Sequence, residues 1–348
     1  MKKSLFIISL IYFFGCSDKN ADYPWSNLSF EEALSLKNDK IIFLDFYSDT
    51  WGPCKRLEAE TLSDPRVVDF TNKYLTPIKV YAWTDSIGQQ LFEKFNGYAI
   101  PLLVFLDKNG EELDRVVGYR NADDFLIILN NILNNENTFM SLFKRYNKGD
   151  STVDLIDKLS LKSEDRQDHA LTAELYNIVF DRRSEFQTSI IERGEYYFSK
   201  ESLKNDDPSK IKKFISKYDK SEQLGPAYMD LIRFYASKKD TIKEVETYKK
   251  MINVFMVSDL ISISGKSSFL NSYAWRMSEL EINLDDALLQ SVRSIEILDS
   301  LGETNTSRKA MLLDTQAEIL WKMDKFNEAI DIINQAIKID SENEYYRD

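Results

Sequence analysis

The 348-residue sequence predicts an α/β domain with a central sheet, followed by an all-helical region. Between residues 25 and 135, apolar strand patterns alternate with amphipathic helical patterns and end in a hairpin, an order typical of a sheet covered by helices. After about residue 136 the strand patterns fade and helical periods dominate. The low content of Gly (11) and Pro (7) also favours helix over irregular structure.

The first elements of the α/β domain are predicted from local patterns. Ser29 and Glu32 form a capping box that begins a short helix. Ile41–Tyr47 is an unbroken apolar run, which is typical of a strand buried on both faces. Asp64, followed by Pro65, predicts the start of a further helix.

The second half of this domain continues the alternation. Its most specific short-range feature is Asn109-Gly110 between two apolar runs, which predicts the turn of a β-hairpin. A strand, a helix, the hairpin and a closing helix are expected, in that order, at residues 77–83, 85–95, 102–119 and 121–133.

The stretch TWGPCK at residues 50–55 stands directly after the first predicted strand, where a helix is expected from Gly52. It resembles, without a gap, the Trp-Cys-Gly-Pro-Cys-Lys motif of the thioredoxin family. Three further positions match that family: Asp45 its buried acid, Ile100-Pro101 its cis-proline, and Gly118 the glycine after the last strand. The resemblance covers nearly all of residues 25–135 and implies a thioredoxin fold there.

The family's chemistry needs two thiols, and this motif has one. In the family an exposed thiol at the helix N-terminus attacks a disulfide as thiolate, and a second thiol one turn later resolves the mixed disulfide. Trp51 occupies the attacking position, and Cys54 matches the resolving thiol. The dithiol cycle of the family is therefore unavailable to this chain.

Three interpretations of Cys54 follow. It is a buried small apolar residue, or a single-thiol nucleophile with Asp45 as proton acceptor, or part of a site that has become a binding surface. Asp45 itself is interpreted as a structural remnant or as a sign of persisting proton chemistry. In the third interpretation, apolar residues near the carboxyl edge of the sheet grip extended polypeptide without chemistry: Trp51, Gly52, Pro53, Trp83, Ile100, Pro101 and Leu102.

Residues 1–16 resemble a bacterial lipoprotein signal. Lys2 and Lys3 precede an apolar run that is short for a bilayer span, and Gly15 stands before Cys16. The resemblance implies cleavage before Cys16 and attachment of lipid to its thiol, with residues 17–24 as a polar tether. The expected location is the bacterial cell envelope, on the periplasmic side of the cytoplasmic membrane. A plain secretory signal and an uncleaved anchor are the alternatives.

Residues 136–348 are expected to be helical, and their last part resembles tetratricopeptide repeats near residues 268–300 and 310–342. Each segment contains two amphipathic helical patterns around a short turn, and Ala287 and Ala329 take the same place in both. Val245 marks a less clear unit upstream. Such arrays bind protein or peptide on a concave face; the alternative is a scaffold for the neighbouring domain.

Composition excludes several other classes. A net charge of −12 without a basic stripe argues against nucleic-acid binding. One histidine, His169, and two cysteines argue against a His/Cys metal centre and a Ser-His-Asp triad, and no cofactor is expected. The resulting hypothesis is a membrane-tethered, redox-impaired thioredoxin-like adaptor for peptides or proteins. The alternative is a thiol-disulfide oxidoreductase or isomerase-like enzyme that uses Cys54 alone.

Overall fold

The computed structural model describes residues 22–36, 38–83, 86–302, 306–341 and 343–347. The predicted lipoprotein signal, Cys16 and most of the predicted tether lie outside the described residues. The chain forms two compact units, and the division falls between Phe186 and Gln187.

A four-stranded sheet in the order β2-β1-β3-β4 is the centre of the first unit. Strand β1 pairs in parallel with β2 and antiparallel with β3, and β3 pairs antiparallel with β4. The prediction of a β1 buried on both faces is confirmed. The strands are β1 (Ile41–Tyr47), β2 (Leu75–Tyr81), β3 (Leu102–Leu106) and β4 (Glu112–Val117).

Five helices belong to the α/β domain, and the predicted starts of two of them are confirmed. The Ser29 side chain accepts a hydrogen bond from the Glu32 amide, and the Asp64 side chain accepts one from the Arg66 amide. A π-helical turn, Glu58–Leu62, continues the second helix. The helices are α1 (Phe30–Ser35), α2 (Gly52–Leu57), α3 (Pro65–Tyr74), α4 (Ser86–Lys94) and α5 (Ala122–Asn134).

Both faces of the sheet are packed with apolar side chains. On one face the rings of Phe43 and Phe105 stack at 4.9 Å between centroids, and Phe125 of α5 packs beside them. On the other face Phe46 packs against Phe92 at 5.6 Å between ring centroids. Successive residues of a strand point to opposite faces, so β1 serves both cores.

Of two local predictions, one is confirmed and one differs in detail from the structure. The hairpin turn at Asn109-Gly110 is confirmed: Gly110 has a φ of +80°, and the Asp107 carboxylate accepts from the Asn109 and Glu111 amides at 2.8 and 2.9 Å. The strand expected at residues 77–83 instead spans Leu75–Tyr81, because it follows the register of β1. Trp83 therefore lies beyond the end of β2.

The first compact unit continues past the domain boundary predicted at residue 135. Three more helices belong to it: α6 (Phe139–Tyr146), α7 (Val153–Asp165) and α8 (His169–Asp181). Helices α6 and α7 contact β4. Asp114 of β4 accepts hydrogen bonds from the Phe139 amide at 3.2 Å and from the Lys162 ammonium at 2.5 Å. These bonds join the edge of the sheet to the helices that follow it.

The described part of the second unit consists of helices that contact one another in consecutive pairs. The segments predicted near residues 268–300 and 310–342 each contain one such pair, and Ala287 and Ala329 are buried at the same place in the second helix of each. The helices are α9 (Thr188–Leu203), α10 (Ser209–Lys217), α11 (Leu224–Ser237), α12 (Thr241–Met256), α13 (Ile263–Leu280), α14 (Leu284–Ser300), α15 (Ser307–Lys322) and α16 (Phe326–Ile339), followed by a 3₁₀ turn, Glu344–Arg347.

Candidate functional site

The TWGPCK motif forms the start of α2. Trp51 is the N-cap residue, without a side-chain capping bond, and its amide donates to the Ser48 carbonyl at 3.3 Å. Gly52 and Pro53 follow as the first exposed residues of the helix, where proline costs no hydrogen bond. The Trp51 side chain is 51% exposed, so an indole is presented to solvent at the place where the family has its attacking thiol.

Cys54 lies one turn inside the helix and is buried, with 5% exposure. It belongs to the hydrophobic cluster that also contains Ile100 and Leu102. Burial raises the pKa of the Cys54 thiol to about 11, although a hydrogen bond with the Ser48 backbone acts in the opposite direction. The thiol is therefore protonated at neutral pH, and a protonated thiol is a poor nucleophile.

Asp45 is in the middle of β1, opposite Lys79 of β2, and is 3% exposed. Its Oδ1 atom has no hydrogen-bond partner among the described residues. Burial raises the pKa of Asp45 to about 7; the charge of Lys79 lowers the pKa and that of Glu58 raises it. Lys79 itself donates to the Glu58 carboxylate at 2.9 Å and lies 4.1 Å from the centre of the Tyr47 ring. Asp45 thus takes up and releases a proton near neutral pH.

Exposed aromatic side chains follow the ends of β1 and β2. The two strands are parallel and end together at Tyr47 and Tyr81, whose rings pack at 4.4 Å between centroids. Trp51 comes after β1 and Trp83 after β2, so both lie at the carboxyl edge of the sheet. Trp83 is 56% exposed and Tyr81 41%. We call Trp51, Gly52, Pro53, Tyr81 and Trp83 the aromatic edge surface.

The remaining predicted groove residues are buried. The Ile100-Pro101 bond is cis, as the resemblance implies, and the Pro101 carbonyl accepts from the Gly118 amide at 2.8 Å. Ile100, Pro101 and Leu102 are all covered, because they lead directly into the central strand β3. The exposed surface is therefore narrower than predicted. Tyr81 was not among the predicted residues; the end of the apolar strand pattern would have indicated it.

Potential metal ligands are not clustered in the described ranges. Among those residues no three His, Cys, Asp or Glu side chains are grouped so as to hold a metal ion. His169 is exposed at the first position of α8. Within the same ranges no helix has the length and apolar content needed to cross a bilayer.

Comparison with known proteins identifies relatives of the α/β domain. A family model described as a thioredoxin-like domain matches residues 31–133. The thiol:disulfide interchange protein DsbD of Tatumella citrea is 34% identical over 110 residues, which are 30% of this chain and 19% of that protein. DsbD of Photorhabdus laumondii is 33% identical over 104 residues, 29% of this chain and 18% of that protein. The chain thus spans less than a fifth of the length of these relatives.

Solved structures also match part of this chain. A thioredoxin from Thermus thermophilus is 27% identical, with a TM-score of 0.28, over 30% of this chain and 83% of that one. A DsbH oxidoreductase is 21% identical, with a TM-score of 0.30, over 38% of this chain and 95% of that one. The residues matched by the family model agree with the order of elements in the structure. Residues 31–133 are a thioredoxin-like domain, and an all-helical region follows it.

Proposed function

We propose that this protein is a polypeptide-binding adaptor whose thioredoxin-like domain holds extended protein segments at the aromatic edge surface without exchanging disulfides. One observation carries the proposal: Trp51 presents an exposed indole at the attacking position, while Cys54 is buried with a pKa raised to about 11. A site arranged in this way offers contact area in place of a thiolate.

The composition of the aromatic edge surface supports binding of polypeptide. Trp51, Tyr81 and Trp83 are each more than two-fifths exposed although all three are large aromatic residues. Tryptophan and tyrosine are the residues that most often dominate the energy of protein interfaces, because they bury much area with few rotatable bonds. Their rings are also held by neighbours: Trp83 packs edge-on against Phe92 at 6.1 Å, and the Tyr81 hydroxyl donates to Asp49 at 3.0 Å.

The proposed location is outside the cytoplasmic membrane, with a lipid on Cys16 as the tether. The resemblance of residues 1–16 to a lipoprotein signal supports this proposal. The similarity of the domain to proteins named for thiol:disulfide interchange also supports it, because disulfides persist in oxidising compartments. Metabolic labelling with a fatty-acid analogue tests the tether: Cys16→Ser is expected to abolish incorporation, and Cys54→Ser to leave it unchanged.

A binding measurement tests the adaptor function. The chain from Ser17 onward is titrated into a fluorescent extended peptide that is rich in leucine and phenylalanine and lacks basic residues. Trp51→Ala and Trp83→Ala are each expected to weaken binding about tenfold or more, because each removes a large aromatic contact. Trp321→Ala, which removes an equally exposed tryptophan from the helical region, is the matched control and is expected to bind normally. No binding, or equal losses in all three variants, would contradict the proposal.

The second candidate function is a thiol-disulfide oxidoreductase that uses Cys54 as a single thiol, and the similarity to DsbD favours it. In the chain from Ser17 onward Cys54 is the sole cysteine, so the alkylation rate measured across pH is that of one thiol. We expect slow alkylation with a midpoint far above the ~8.5 of a free cysteine. Fast alkylation with a depressed midpoint would instead support the enzyme.

A further inference from the structure

The helical region has an open groove of about 550 Å³ between α15, α16 and the 3₁₀ turn at Glu344–Arg347. Its walls combine two carboxylates with exposed aromatic and aliphatic side chains. The residues that matter here are Asp314, Glu318, Trp321, Ile330, Tyr345 and Tyr346.

Helix geometry places the carboxylates and the indole together. Asp314, Glu318 and Trp321 are at positions i, i+4 and i+7 of α15, which lie on one face of a helix. Ala317 on the same face and Ala329 of α16 are buried and small, so the two helices approach closely beneath the groove. The larger side chains around these alanines form its walls.

The charge of the groove is negative and largely uncompensated. Asp314 is half-buried, and among the described residues it has no hydrogen bond or ion pair. Glu318 pairs with Lys322 at 3.8 Å, but that ammonium is closer to Glu281, at 3.0 Å. Burial first, and then the charge of Glu318, raise the pKa of Asp314 to about 6. Like charges four residues apart on a helix repel each other.

The aromatic rings of the groove are exposed but held in place. Trp321 is 54% exposed, and its ring packs edge-on against Phe326 at 4.8 Å. Tyr345 is 63% exposed and packs edge-on against the buried Tyr346 at 5.5 Å. Ring faces attract cations, and arginine most often, by their negative quadrupole. Ile330, half-exposed, adds an apolar wall.

From this complementarity we infer that the groove binds an arginine or lysine side chain of an extended protein segment with apolar neighbours. The cation would pair with Asp314 and Glu318 and lie against the rings of Trp321 and Tyr345, while the flanking apolar residues cover Ile330. An anionic segment is excluded by repulsion, and a neutral one would leave two carboxylates unpaired in a dehydrated site. The site shares no residue with the aromatic edge surface and does not depend on the function proposed for it.

The test compares three labelled peptides by fluorescence anisotropy with the chain from Ser17 onward. The peptides differ only at the central residue, which is arginine, citrulline or glutamate, and leucines flank it in all three. Citrulline keeps the shape of arginine and removes its charge. We expect the arginine peptide to bind about tenfold or more tightly than the citrulline peptide, and the glutamate peptide to bind weakest.

Matched variants locate the binding. Binding of the arginine peptide is expected to weaken about tenfold in each of three variants: Asp314→Asn, Glu318→Gln and Trp321→Ala. Asp331→Asn, which changes an exposed carboxylate elsewhere on α16, is expected to leave it unchanged. Asp314→Asn and Glu318→Gln are nearly isosteric, and circular dichroism shows whether each remains folded.

Three results would overturn the inference. Equal affinity for the arginine and citrulline peptides would make the groove a purely apolar site. Normal binding by both carboxylate variants would place the cation elsewhere. Concentration-dependent dimers that Trp321→Ala dissociates would make a second copy the occupant.

Discussion

Replacement of Asp45 by asparagine is expected to stabilise the first unit above neutral pH. Asp45 is 3% exposed, and its Oδ1 atom lacks a partner among the described residues. Burial raises its pKa to about 7 in the folded protein, whereas an unfolded aspartate titrates near ~3.9. The ionised carboxylate is therefore a net cost to the fold.

The sign and size of the effect follow from linkage. Between about pH 4 and about pH 7 the folded protein holds a proton on Asp45 that the unfolded chain has released. The free energy of unfolding falls as pH rises through this window and is level above it. A difference of about three pH units corresponds to an upper figure of about 4 kcal/mol, at ~1.4 kcal/mol per unit.

Cys54 supplies the assay, because it is a buried thiol in the same unit. The rate of its reaction with dithiodipyridine in increasing urea reports the opening of that unit. At each pH the observed rate is divided by the rate of the unfolded chain. We expect the free energy of opening of Asp45→Asn to exceed that of the parent by several kcal/mol at about pH 8, with most of this gain absent near pH 4.5.

Asp39→Asn is the control, because that side chain is 97% exposed. Its curve is expected to follow the parent at every pH. The effect of other buried acids, such as Asp114, is common to both proteins and cancels in the difference. If the gap between Asp45→Asn and the parent is the same at about pH 4.5 and about pH 8, Asp45 does not carry the pH dependence and the reasoning is refuted.

Two further predictions concern the same unit. Asp114→Ala is expected to lower the free energy of unfolding by about 3 kcal/mol, because it leaves Lys162 and the Phe139 amide without their acceptor. Asp114→Asn keeps the acceptor for Phe139 and is expected to lose less free energy of unfolding in urea titrations. Equal losses in the two variants would contradict this account. Thr50→Trp combined with Trp51→Cys is expected to create a dithiol that reduces insulin in the presence of dithiothreitol, because the new thiol would be exposed at the start of α2. A folded double variant without this activity would show that more than the thiol has been lost.

Local sequence patterns were sufficient to predict most of the secondary structure of the α/β domain. The capping box at Ser29, the limits of β1 and the turn at Gly110 depend on residues close in sequence, and each is confirmed. The thioredoxin-like assignment rested on a motif with a known order of elements around it. Such features follow from short-range hydrogen bonding and from periodicity.

Features that depend on distant contacts could not be predicted in this way. The burial of Ile100 and Pro101 follows from the central position of β3, which no local pattern indicates. The bond between Asp114 and Lys162 joins residues 48 positions apart, and it extends the first unit past residue 135. The groove beside Trp321 likewise needs three elements to come together, although the heptad-like spacing on α15 marks one of its walls.

The contact of α6 and α7 with β4 has a consequence for solubility. Strand β4 is one of the two edges of the sheet, and an uncovered edge is a template for pairing with other chains. Arg115 of β4 is 4% exposed and is bonded to Glu112, which also pairs with Arg166 of the segment after α7. A fragment cut at residue 135 would lose that second arginine and uncover the strand. Aggregation of such a fragment would therefore reflect a missing cover, and the smallest soluble piece of this protein is expected to end near Phe186.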